Sequence, residues 1–201
     1  MAGALDILHR EHDAILRMLD TTEEVAQLLL EGKPVAPEIL TGLLEFFQLF
    51  ADRCHHSKEE DLLFPLLERK GVPRSGGPIG VMLYEHELRR SLIREMTGAA
   101  DGYGSGASES GRGWAEAARG YTALLRHHID KENNVLFRAA ERLLSEAEQS
   151  ELARAFEEVE ERKMGPGTHE RLHALMARLV AQIEQLRHPE GALANTSPWY
   201  W

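Results

Sequence analysis

A chain of 201 residues is one domain by length, and it is long enough to bury a core without disulfide or metal staples. Its 33 acidic and 23 basic side chains leave a formal charge of −10 with no basic run to offset it, which speaks against nucleic acid as a partner. No apolar run approaches the roughly 18 to 20 residues of a membrane span, the N-terminus lacks a basic-then-apolar leader, and the single cysteine, Cys54, fits a reducing compartment, most simply the cytoplasm.

Taken in chain order, the sequence predicts helices. Over 5–31, Leu5, Leu8, His12, Ile15, Leu16 and Leu19 recur at helical spacing on one face, and Gly32 and Pro34 end the run. A second helix is expected over 37–70, with Leu40, Leu43, Leu44, Phe47 and Phe50 on its apolar stripe and Pro65 kinking it or starting a tighter turn. After the loop 71–80, a third helix is expected over 79–100. The stretch 101–113, DGYGSGASESGRG, reads as a flexible linker. A fourth helix follows over 114–144, and a fifth over 145–164, opened by the S-x-x-E pattern of Ser145 and Glu148. A last helix over 168–187 has Thr168 as its candidate N-cap. The tail from His188 carries three prolines and glycines and ends Trp199, Tyr200, Trp201; it reads as irregular, its aromatics docking on the body or on another subunit. Amphipathic helices with short loops and no β-branched runs between them indicate an all-α, up-down-up-down four-helix bundle over 1–145, with a helical extension over 146–187 and the tail 188–201.

Ten histidines are the unusual feature, and a duplication organises them. REHDAIL, which holds His12, is echoed by YEHELRR, which holds His86; HHSKEEDLLFP is echoed by HHIDKENNVLF. His12 and His86 are 86 − 12 = 74 residues apart, while His55 to His128, Glu59 to Glu132 and Phe64 to Phe137 each differ by 73. Each repeat is therefore a helical hairpin with one His on its first helix and His-x-x-x-Glu on its second, and two such hairpins make a pseudo-twofold bundle. Residues four apart lie above one another on a helix. His-x-x-x-Glu thus turns an imidazole and a carboxylate to the same side. Four nitrogens and two carboxylates able to bridge suit a pair of iron or manganese ions in a bundle core, whereas a single zinc needs only three or four ligands.

Neighbours on an α-helix stand about 100° apart, so one member of each His-His pair is expected inside. His128 continues into the apolar positions Glu132, Val135, Leu136 and Ala139, while His127 continues into Lys131, Asn134 and Arg138. In the second helix the repeat selects His55 and Glu59 and leaves His56 and Glu60 outside. Glu11 and Glu85 read as solvated ahead of a role as outer partners of the site, and Cys54 as a structural thiol facing away from His55. Without partners, a buried set of this kind would cost several kcal/mol, which shared metal ions would remove.

EHDAIL, HHSKEEDLLFP, EHE and HHIDKENNVLF together resemble the ligand-bearing helices of the hemerythrin-like HHE cation-binding family, over about residues 5–144. The last helices look like the extension of longer bacterial members. The resemblance implies a non-haem di-iron centre bridged by two carboxylates and an oxo or hydroxo group. It implies His12, His55, Glu59, His86, His128 and Glu132 as ligands, with Glu59 and Glu132 bridging; manganese or zinc in the same site stays open. Oxygen carriers of the family have a His-x-x-x-His helix and an Asp bridge, whereas here Arg90 follows His86 by four and the second bridge is Glu132. This chain is closer to members linked to nitric oxide, peroxide and iron handling. His169, after a GPGT turn like the GTHE turn of longer members, is taken ahead of His173 as a further metal ligand, packing or capping being the other reading. Tyr84 and Tyr121 are candidates for positions near the centre. The expected function is binding of, or reaction with, O2, H2O2 or NO. The alternative is an iron- or oxygen-responsive module that acts through a partner protein without catalysis.

Overall fold

The computed structural model describes residues 3–187, so the tail with Trp199, Tyr200 and Trp201 lies outside the described residues. Every regular element among them is helical. We number them α1 (Ala4–Leu30), α2 (37–69), α3 (Pro78–Gly104), α4 (108–143), α5 (Glu146–Met164) and α6 (Thr168–Arg187). α1 packs between α2 and α4, and α3 packs between the same two, which gives an antiparallel four-helix bundle; α5 and α6 lie across the α1 and α2 side. No helix of the described residues is long and apolar enough to cross a membrane.

Two of the bundle helices are not α-helical throughout. α2 is π-helical over Phe47–His56 and Glu59–Leu63, and α4 over Glu132–Leu136. A π turn holds about one extra residue and so shifts everything beyond it around the axis. Val135, expected inside, is therefore 54% exposed; Leu136 is buried as expected, and Phe137 and Ala140 are buried with it. Pro65 stands where the helix type of α2 changes. It falls in the first turn of the α-helical piece Phe64–Arg69, directly after a π stretch, where its missing N–H is tolerated.

The expected linker 101–113 is almost wholly helical, since α3 runs to Gly104 and α4 starts at Ser108. Two of its glycines, Gly102 and Gly111, serve close approach. A Cβ at Gly111 would meet the Tyr103 ring at 3.0 Å, and the Tyr103 hydroxyl accepts from Val35 N at 3.2 Å and donates to Val35 O at 3.0 Å. α5 opens with the expected capping box, Glu148 N donating to Ser145 Oγ and Ser145 N to Glu148 Oε2. Thr168 is the first residue of α6 rather than its N-cap, and its hydroxyl donates to Met164 O at the end of α5.

The bundle interior has three layers along its axis. An apolar cluster with Ile15, Phe47, Met96 and Leu125 fills one end, and one with Leu8, Phe64, Met82 and Phe137 fills the other. His12, His55, Glu59, His86, His128 and Glu132 form a polar layer between them. α6 reaches the bundle over Gly42, where an added Cβ would lie 3.2 Å from Leu179 Cδ2 and 3.5 Å from Leu175 Cδ1. Gly42→Val should therefore lift α6 from α2 and lower stability by about 1–3 kcal/mol. Denaturant unfolding checks the loss, and amide exchange that rises in α6 before the rest of the chain locates it.

Candidate metal centre

Four helices each send donors to the polar layer: α1 gives His12, α2 His55 and Glu59, α3 His86, and α4 His128 and Glu132. All six are at most 1% exposed. The ring nitrogens divide by role. Each Nδ1 faces an outer oxygen: His12 faces Asn133 Oδ1 at 2.8 Å, His55 Glu11 Oε2 at 2.8 Å, His128 Glu85 Oε2 at 2.9 Å, and His86 the Glu60 carboxylate. Each Nδ1–H is thus held outward, which leaves the Nε2 lone pair turned inward, as a metal-ligating histidine requires.

The inward atoms crowd one another without bonding well. His12 Nε2 lies 3.2 Å from Glu132 Oε2, His128 Nε2 2.8 Å from Glu132 Oε1, His55 Nε2 3.5 Å from Glu59 Oε1, and His86 Nε2 3.3 Å from His128 Nε2. His12 Nε2 and all four carboxylate oxygens of Glu59 and Glu132 are buried with no hydrogen-bond partner. Buried orphans of this kind are rare in folded proteins, and five in one layer call for cations. Two sets of donor atoms within 4.8 Å of one another overlap there: His12, His55, Glu59 and Glu132 in one, His56, Glu59, His86 and His128 in the other. Glu59 belongs to both, the position of a bridge. Imidazole and carboxylate donors in this number fit a pair of first-row transition ions.

Protonation follows burial. It pushes His55 down to about 4 and His86 down to about 3, so both rings are neutral and able to ligate near pH 7. Burial and the facing Glu132 carboxylate drive Glu59 well above the usual carboxylate range. Burial works the same way on Glu132, but His128 and His12 outweigh it and hold its carboxylate down.

Several outer residues differ from the sequence reading. His56 is not outside: it is 3% exposed and stacks on His86 with ring centroids 4.1 Å apart. A π turn sets consecutive residues at a smaller angle than an α turn, and α3 covers the face beside the site, so both members of the His-His pair are buried. Glu60 is half-buried against His86 and Arg90 rather than solvated. Glu11 and Glu85 are also not solvated. Glu11 is 6% exposed and joins His55 to the buried Lys58 ammonium, while Glu85 joins His128 to Lys131. Adding 73 or 74 to Lys58, Glu11 and His55 gives Lys131, Glu85 and His128, so the repeat carried these outer partners and could have revealed them. Cys54 does face away from His55, toward Glu160 and Lys58; burial and Glu11 push its thiol up.

His169 is not brought to the polar layer. Its Nδ1 meets Glu160 Oε1 at 2.7 Å and its Nε2 meets His173 Nε2 at 2.8 Å. Glu160 in turn accepts from Lys58 at 2.8 Å, so His169 reaches His55 only through the chain Glu160, Lys58, Glu11. Tyr84 is 65% exposed, whereas Tyr121 is buried, with its ring 4.8 Å from that of Phe47.

A model of the hemerythrin HHE cation-binding domain matches residues 3–140. Among curated proteins, the iron-sulfur cluster repair protein YtfE of Escherichia coli O1:K1 is 28% identical over 126 residues, 57% of this chain and 57% of its own length. YtfE of Escherichia fergusonii matches to the same extent, so the chain spans little more than half the length of these relatives. No solved structure matches.

Proposed function

Since the chain belongs to the hemerythrin HHE cation-binding domain family, we propose that it is a di-iron protein that binds or turns over a small ligand (O2, H2O2 or NO) in redox or nitrosative stress or iron handling. The observation that carries the reading is the set of five buried, unbonded donor atoms on His12, Glu59 and Glu132 in one polar layer. His12, His55, His86 and His128 would supply nitrogens, and Glu59 and Glu132 would bridge. Iron bound there supplies a ferrous–ferric couple and open positions for a small ligand. The chain's own part is to aim four imidazoles inward, to hold two carboxylates apart from water, and to wall the layer with apolar clusters at both ends. That the relatives are named for iron–sulfur cluster repair favours stress chemistry over oxygen storage. His169 enters this proposal as a residue tied to His55 through Lys58, and as a ligand only if α6 were to shift.

The test is metal analysis and an absorption spectrum on protein purified without chelators or a His-tag. About two irons per chain, with oxo-to-iron charge-transfer bands that change on adding peroxide or NO, is the expected result. Turnover that is lost in His55→Ala would assign catalysis. Tight binding without turnover would assign the alternative, a sensing module acting through a partner. One zinc and a featureless spectrum would reject both.

A further inference from the structure

The two halves of the polar layer are not equivalent. In one half, Ile15 and Ile129 pack beside the donors; the repeat offsets place Arg89 and His56 at the matching positions of the other. Arg89 is 1% exposed, a fully buried guanidinium. Its Nη2 donates to His56 Nε2 at 2.9 Å, but its Nε and Nη1 are buried with no hydrogen-bond partner. Nη2 has two protons. Whichever of them goes to His56, one edge of the planar fork keeps both of its donors. That edge belongs to a residue lining a cavity of about 240 Å3 between α2, α3 and α4, walled also by His56, Tyr121 and Arg94.

The charges nearby do not satisfy Arg89. Asp52 is the only acid that lines the cavity among the described residues, and its Oδ1 already accepts from Arg90 Nε at 2.8 Å and from His56 Nδ1 at 3.2 Å. Arg90 is spent on Asp52, Glu60 and Glu87. Glu59, Glu85 and Glu132 act on Arg89 only at a distance, with no hydrogen bond to it. Leaving a buried cation with donors unmade is strongly unfavourable, and the complement of a free guanidinium edge is a planar pair of oxygens.

We propose that the cavity beside Arg89 is a binding site for a small oxoanion or carboxylate, held by the free edge of Arg89 beside the polar layer, with Arg94 on the exposed wall. The site fits an ion of a few atoms, not a nucleotide or a peptide. It needs no particular metal in the centre, so it stands or falls apart from the function proposed above.

Two measurements test it. In metal-free 15N-labelled protein, the Arg89 Nε–H resonance is followed while sodium formate or sodium nitrate replaces chloride at constant ionic strength. In the protein as purified, the melting midpoint is followed across the same exchange. A saturable shift of the Arg89 signal is expected, with a matching rise in melting midpoint. The rise in melting midpoint should be lost in Arg89→Gln, whose affinity should fall about tenfold or more. Arg94→Gln, at an exposed position, should weaken binding a few-fold and keeps the test open if Arg89→Gln does not fold. A still Arg89 signal up to saturating salt would overturn the proposal and leave the cavity to water. So would a melting shift that persists in Arg89→Gln or appears only with metal present, since the anion would then be a metal ligand.

Discussion

Glu59→Gln should make the metal-free protein more stable and the metal-loaded protein less stable. In the metal-free fold, Glu59 is fully buried, both of its oxygens are unbonded, and it faces Glu132. Its proton affinity is raised, so the folded state binds more protons than the unfolded chain between the ordinary carboxylate value near 4.5 and the raised one. Stability that depends on this group therefore falls as pH climbs through that value toward the raised one. Glutamine keeps the shape and cannot ionise, so it should gain about 1–3 kcal/mol at pH 7 and flatten that part of the curve. Ligand-linked stability runs the other way: ions at a thousand times their dissociation constant stabilise by about 4 kcal/mol, and the variant without its bridging carboxylate should lose most of that. Denaturant unfolding with and without metal, at pH 5 and pH 8, reads both signs. A loss of stability in the metal-free variant would mean that the carboxylate holds the fold rather than a cation.

Glu11→Ala and Glu85→Ala should part company although the repeat makes them equivalent. Each carboxylate holds the Nδ1 of a ring in the polar layer and a lysine of the next turn. Removing either frees a ring, and metal affinity should fall about 10–100-fold in both. The lysines differ. Lys58 is 1% exposed, whereas Lys131 is 37% exposed. Glu11→Ala strands a buried ammonium with only Glu160 beside it, and should cost about 3–5 kcal/mol. Glu85→Ala lets Lys131 swing into water, and should cost about 1 kcal/mol or less. Equal costs in the two variants would mean that Lys58 escapes its burial.

The bundle and the six side chains of its polar layer were legible because a duplication states the same geometry twice. A lone His12 on a leucine stripe carries little meaning, but His12 and His86 at one offset, with His55, Glu59, His128 and Glu132 at another, define a face. What the α-helical period could not show is the π stretch. It turned Val135 out, helped bring His56 in and put Ala140 in the core. The glycines around 101–113 misled for a related reason. A missing Cβ marks a flexible chain or a tight contact with equal ease, and only the neighbour, here Tyr103, decides. Lys58 and Arg89 were illegible as buried residues because a charged side chain at a helical position reads as solvated until its partners are known.

The π turn at Glu59–Leu63 has its counterpart at Glu132–Leu136, 73 residues on, while the polar pair His56 and Arg89 has only isoleucines opposite it. A trait present in both hairpins belongs to what the two halves have in common; a trait present in one breaks their symmetry. The interior thus divides into a shared kit, the histidines, the carboxylate and the widened turn that follows it, and a lopsided addition. Replacing His56 and Arg89 together by isoleucine would give a symmetric interior, and comparing it with the present protein would separate what the shared kit can do alone from what the lopsidedness adds.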